Sequence, residues 1–362
     1  MGIYGVSPEQ WRTYTTNADG ESDASIYARR LLLIEDILNN YLAGKSTDWF
    51  KEYYQTGFNQ DYNVSVAGAS DKMNYYMSVG YLNNEGVITG DEYQAVHSNL
   101  KVEGEVNKWL TIGANINFQD RSDGSIQPNQ LMERNSPYAN FRDENGEIIR
   151  YPTGPNSKFG DRSLFDNQFK NLERGYTIFN SIINAKVKLP FDITYSFNAS
   201  PRYQFYYNRY HESSQHPDWA ASTNGRVQRG QTKRFDWSLN NTIQWNHVFS
   251  QRHHVNLTLV QEAEEFQGWS DHIDTQNILP SDALGFHYIS SGEKARTSFS
   301  SNDNRQTADA LLARLFYSYD ERYMITTSIR RDGYSAFGQY NPYATFPSIA
   351  LAWSFIDESF FQ

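Results

Sequence analysis

The run Leu110-Thr111-Ile112-Gly113-Ala114-Asn115-Ile116-Asn117-Phe118 switches between apolar and small or polar side chains along its length. In an extended chain successive side chains point to opposite sides, so Leu110, Ile112, Ala114, Ile116 and Phe118 share one face. Thr111, Gly113, Asn115 and Asn117 take the other. The pattern recurs outward from this run. Ile193, Tyr195, Phe197 and Ala199 form one stripe, and Met73, Tyr75, Met77, Val79 and Tyr81 another. Trp237, Leu239, Ile243 and Trp245 share a face that Asn241 interrupts. Related stripes run through residues 179–189, 255–259, 311–319, 323–329 and 349–355. Period-two alternation predicts about eleven half-buried strands.

Composition narrows the classes. The 362-residue chain carries a formal net charge of -10, which disfavours a nucleic-acid partner, because that role needs a basic footprint. It has no Cys, so disulfide, zinc-thiolate and Cys-nucleophile chemistry are excluded. Mean hydropathy is -0.70, and no apolar run approaches the roughly 18 residues of a spanning helix. Yet 15% of the residues are aromatic. A polar, aromatic-rich, alternating chain fits either a soluble all-β protein or a membrane β-barrel that is apolar on one face only.

The connections favour the barrel. Tight turns are expected at 68–72, 106–109, 188–192, 249–253 and 320–322. Longer connections lie between them, at 83–95, 120–175, 208–231, 268–307 and 332–345. If each turn joins antiparallel neighbours, all short turns fall at one end of the sheet and all long loops at the other. Short turns inside and long loops outside characterise outer-membrane barrels, whereas a loop like 120–175 would be unusual in a compact soluble domain. Aromatics also gather near stripe ends. Trp109, Trp245, Tyr319 and Tyr323 stand beside short turns, and Tyr81 and Trp237 toward long loops. These six are candidate membrane-interface residues, since an amphipathic ring is best placed at headgroup level. Before the strands, residues 25–42 read as a helix and 48–54 as a second, with Thr47 as its cap. Residues 1–60 are therefore expected to form an extracellular loop with helices, and 61–362 a transmembrane wall.

Particular residues add a resemblance. Thr47-Asp48-Trp49-Phe50, Thr56-Gly57-Phe58 and Asn63-Val64-Ser65-Val66 resemble the SusC/RagA family of TonB-dependent outer-membrane transporters. Asn84-Glu85-Gly86-Val87-Ile88 and Asn107-Lys108-Trp109-Leu110 are similar as well. So are Tyr317-Ser318-Tyr319-Asp320-Glu321-Arg322-Tyr323, Arg330-Arg331-Asp332-Gly333 and Thr345-Phe346-Pro347-Ser348. The resemblance implies a barrel of about 22 strands around a plug. It also implies a SusD-like surface lipoprotein as partner, energy from the TonB system through the plug region, and glycan or peptide cargo. No plug, TonB-contact segment or signal-peptide pattern is legible in the chain. It is thus expected to be a partial barrel, a fragment of the wall that cannot close a pore alone.

Catalytic, metal and cofactor sites are not expected. Gly44-Lys45-Ser46 lacks the upstream glycine of a phosphate loop, because position 39 is Asn39. Asp271-His272-Ile273-Asp274, read as part of a polar loop, has no second His at ligand spacing. Glu262 and Glu264 share a strand face without Glu265, and fit a wet lumen better than a glycosidase pair. Tyr138, Trp219, Trp269 and Tyr334 are candidate substrate contacts, read as loop aromatics able to stack on sugar rings. The competing reading is a soluble all-β carbohydrate-binding or surface interaction protein.

Overall fold

A computed structural model describes residues 34–129, 131–154, 160–278, 284–338, 340–356, 358 and 360. The helix expected over residues 25–42 is described only from α1 (Glu35–Leu42) onward, and its earlier part lies outside the described residues. A short α2 (Trp49–Tyr53) follows. Thr47 does not cap it. Its hydroxyl donates to the Ala139 carbonyl at 2.6 Å, and so ties the helix to a distant loop.

Among the described residues eleven strands then form one antiparallel sheet in sequence order. They are β1 (Phe58–Ala69), β2 (Met73–Glu85), β3 (Glu92–Asn107), β4 (Leu110–Ser122), β5 (Lys170–Leu189), β6 (Ile193–Glu212), β7 (Arg226–Phe249), β8 (His253–Gln276), β9 (Thr297–Tyr319), β10 (Tyr323–Tyr334) and β11 (Tyr343–Trp353). An antiparallel meander puts alternate connections at opposite ends, so the expected separation of short turns from long loops holds. Three short turns place consecutive residues in the left-handed region: Phe191 and Asp192, Ser250 and Gln251, Asp320 and Glu321. That handedness matches the twist of the flanking strands.

The strands run further than their apolar stripes. β7 and β8 each have 24 residues and β9 has 23, while crossing a bilayer takes about 9–11. The expected loop 268–307 therefore shrinks to 277–296, and 208–231 to 213–225. Beyond the membrane both faces of a strand meet water, so Asn302-Asp303-Asn304-Arg305-Gln306 can be strand without an apolar stripe. Asp271, His272 and Asp274 consequently lie on β8, not in a loop.

Register carries the two faces across the sheet. Ile112 lies opposite Ala185, which faces Phe197; Tyr195, Ile243, Leu259, Ala313 and Ile329 continue a neighbouring row. The apolar side chains are not covered: Val64 is 78% exposed, Ile112 48% and Leu351 75%. A soluble sandwich would bury this stripe beneath a second sheet, but all eleven strands share one sheet. Among the described residues, clusters of buried apolar side chains instead form around Trp49, outside the sheet, and around Phe286, which packs with Val227 at the long-loop end of β7.

Aromatic rings line the apolar face near the short turns. Tyr319, Tyr323 and Trp353 stack in succession at 6.4 Å between centroids, and Trp245 joins His247 at 5.9 Å. Toward the long loops Phe118, Phe179, Tyr203 and Phe235 are register partners. The opposite face is polar and concave, because one cavity of about 700 Å³ is lined from Asn180 on β5 to Tyr334 on β10.

Ile112→Arg in the whole protein is expected to impair insertion by about 2–4 kcal/mol near the bilayer midplane. Asn115→Arg, one strand position from Ala114 but on the polar face, should be much milder. The folded fraction recovered in outer-membrane preparations measures both, and equal losses would contradict the assigned faces.

Candidate functional site

The concave face owes its chemistry to the even-numbered positions of β7, β8 and β10. Glu262 accepts from Asn240 at 3.1 Å and from Arg330 at 2.6 Å, so one contact reaches across β9. Arg330 also holds Asp332 at 2.7 Å. Farther along β7, Arg234 pairs with Asp236 at 2.6 Å and lies 4.4 Å over the Phe266 ring. These groups edge the large cavity and a smaller one of about 450 Å³ beside it, both reached by Glu264 and Tyr334. The Tyr334 hydroxyl donates to Gln306 Oε1 at 2.9 Å. Asn180 Oδ1 and Arg202 Nε, cross-strand partners at the cavity wall, are buried without hydrogen-bond partners. Acids, guanidinium groups, amides and an aromatic edge suit reversible binding of a polar chain. Among the described residues no His, Cys, Asp and Glu group has metal-ligating geometry.

A second assembly forms among the connections at the long-loop end. Ile37 and Trp49 from the helices pack with Ala139 and Phe141 from the β4–β5 connection. Trp49 Nε1 donates to the Ser136 carbonyl at 2.8 Å. The Tyr53 hydroxyl donates to Asp161 at 2.6 Å, and Ser163 also donates to that carboxylate. Burial, and then the hydrogen bond to Asp161 and that carboxylate's charge, push the Tyr53 phenol above its ordinary pKa.

The β4–β5 connection is also clasped to the β6–β7 connection. Two short helices meet there, α3 (Ser163–Asn167) and α4 (Trp219–Ser222). Asp218 receives Arg162 Nη1 at 2.6 Å, the Tyr151 hydroxyl at 3.2 Å, and Arg150. His216 is fully buried. Its Nδ1 accepts the Asp218 backbone N–H at 3.2 Å, which leaves Nε2 to donate to Asp166 at 2.9 Å.

The four candidate substrate residues are not brought together. Tyr334 ends β10 and lines both cavities. Tyr138 packs on the helix cluster, edge-on to Tyr41 at 5.1 Å. Trp219 stacks on His216 at 3.9 Å. Trp269 lies on β8, opposite Lys233, on the face that carries Leu257 and Leu259. Of the six interface candidates, Trp245, Tyr319 and Tyr323 take part in the aromatic rows just described. Tyr81 pairs in register with Tyr62 and Val96. Trp237 pairs with Pro201 and Glu265, and Trp109 stands exposed in a tight turn. Sequence reasoning did not single out Arg202, Arg234 or Gln306, and met Arg330 only as part of a resemblance; their positions opposite the apolar stripe were the available signal.

No protein-family model matches the chain. Its curated homologues are TonB-dependent receptors. TonB-dependent receptor P39 of Formosa agariphila is 26% identical over 98% of this chain and 32% of its own length. TonB-dependent receptor SusC of Bacteroides thetaiotaomicron is 23% identical over 89% of this chain and 33% of its own length. The chain thus spans about a third of these relatives. Among solved structures, the RagAB peptide transporter superposes with a TM-score of 0.78 at 18% identity, covering 94% of this chain and 40% of that one. The fold is accordingly like part of the barrel wall of that transporter.

Asp218→Ala should speed amide exchange in both clasped connections by about fivefold, as expected for a contact of about 1 kcal/mol. The β7 strand amides should keep their rates. Unchanged exchange in both connections would mean that they hold without the clasp.

Proposed function

We propose that this chain is part of the wall of an outer-membrane importer of large nutrients, glycans or oligopeptides, energised by TonB through the plug region of the parent protein. In this reading α1 and α2 belong to an extracellular connection that ends where β1 begins at Phe58, and the strands from β1 onward form the wall. A SusD-like lipoprotein is the surface partner, and outer-membrane lipid surrounds the apolar face. The work is binding and gated passage, with no bond chemistry. The observation that carries this reading is a single sheet with an uncovered apolar face and a charged concave face. Homology to TonB-dependent receptors supports it, as does the likeness to a peptide transporter.

Tyr334 is the foremost cargo contact, because its ring stands between the two concave cavities. Tyr138 and Trp219 are secondary candidates, whereas Trp269, on the face of Leu257 and Leu259, stands away from the concave cavities. Cells carrying the whole protein are supplied with a labelled oligosaccharide or oligopeptide. Tyr334→Ala is expected to lower uptake about tenfold, the equivalent of about 1.4 kcal/mol, at an unchanged level of protein in the membrane. Uptake that survives Tyr334→Ala and Arg330→Ala alike would remove cargo from this wall.

A further inference from the structure

The apolar face also carries a groove that the transport reading leaves unused. It has a volume of about 550 Å³ and is lined by Tyr203, Gln231, Lys233, Phe235, Trp269 and Asp271. The registers of β6, β7 and β8 run without a shift through this region. All six side chains therefore share the face of Tyr195, Ile243 and Leu259, away from the concave cavities.

Its height is set by β7. Lys233 lies roughly a dozen residues along the strand from Trp245, in the aromatic row near the short turns. At about 3.3 Å per residue and about 40° of tilt, that is about 30 Å along the membrane normal. The apolar band of such barrels is about 25 Å tall. Phe235 and Tyr203 then lie at the top of the hydrocarbon, with Lys233, Trp269 and Asp271 at headgroup level on the long-loop side.

The lining has two chemistries. Phe235 and Tyr203 offer apolar surface below. Above them Lys233 and Asp271 are exposed, and among the described residues neither forms an ion pair. Asp271 has Gln231 Nε2 at 3.4 Å. Of the nearby cations, Arg305 pairs with Glu265 at 2.9 Å and Arg209 with Glu173 at 2.9 Å, while Arg229, opposite Arg209 and farther from the short turns, forms no ion pair among the described residues. Lys233 is thus an unpaired ammonium beside an indole, a carboxylate and an amide.

We infer that this groove seats a phosphorylated glycolipid of the outward-facing leaflet. Lys233 takes the phosphate, Trp269 stacks on a sugar ring, and Asp271 and Gln231 accept and donate to its hydroxyls. The acyl chains descend along Phe235 and Tyr203. The inference rests on the outer-membrane reading given above.

The test reconstitutes the whole protein in nanodiscs and follows Trp269 emission, taken as the difference from the Trp269→Phe protein. The probes are bisphosphorylated lipid A, its dephosphorylated form and phosphatidylglycerol. Lipid A should alter the emission at the lowest mole fraction, and phosphatidylglycerol, which lacks the sugar, at the highest. Lys233→Gln should weaken the phosphorylated probe by about threefold and leave the dephosphorylated one unchanged. Asp271→Asn should weaken both sugar-bearing probes. Equal responses to all three lipids, or a Lys233→Gln protein indistinguishable from the original, would overturn the inference. Failure of the protein to insert at all would instead overturn the outer-membrane reading.

Discussion

In hydrocarbon a backbone N–H or C=O cannot turn to water, so each must be satisfied within the protein. This constraint organises the rest of the structure. It selects an unbroken antiparallel ladder, and β2 through β10 are each paired on both sides. The ladder fixes register, and register fixes parity, so that Ile112, Ala185 and Phe197 all face one way. β1 and β11 each pair on one side within this chain. In the proposed importer those two edges continue into further wall strands, since an uncovered edge in lipid would forfeit several kcal/mol for every unpaired group.

The same constraint explains what was legible in the sequence. Where lipid meets one face and water the other, alternation is compulsory, and Leu110 to Phe118 declares its strand openly. The short turns were legible too, because such a ladder reverses in very few residues. Above the membrane the requirement lapses. Residues 297–306 form strand with a polar sequence on both faces, so their extension by pairing with β8 left no periodic mark. Trp269 was mistaken for a loop aromatic for the same reason. Thr47 misled differently: its position before a helix fits a cap, but a carbonyl nearly a hundred residues away claims the hydroxyl.

The candidate site was legible only in outline. Ser238, Asn240 and Glu262 could be assigned to the wet face from parity alone. The contact from Arg330 to Glu262 could not, because it depends on curvature that brings β10 toward β8 across the intervening strand. Likewise, nothing local to His216 predicts its burial. It is enclosed by Phe165, Phe169 and Trp219, from connections separated by two long strands.

Parity also separates two functions along a single strand. On β7, Arg234 and Asp236 edge the concave cavity, while Lys233 and Phe235 present to the other side. Adjacent residues therefore experience different solvents, and their substitution has different consequences. A change at Asp236 perturbs a hydrogen-bonded charge at the concave cavity. A change at Phe235 alters the apolar face and leaves that cavity intact. A single sheet can thus vary its concave face and its apolar face independently, provided that register is kept. A one-residue slip would exchange the two faces at once, which is why the unshifted registers of β6 through β9 matter more to this wall than any single contact upon it.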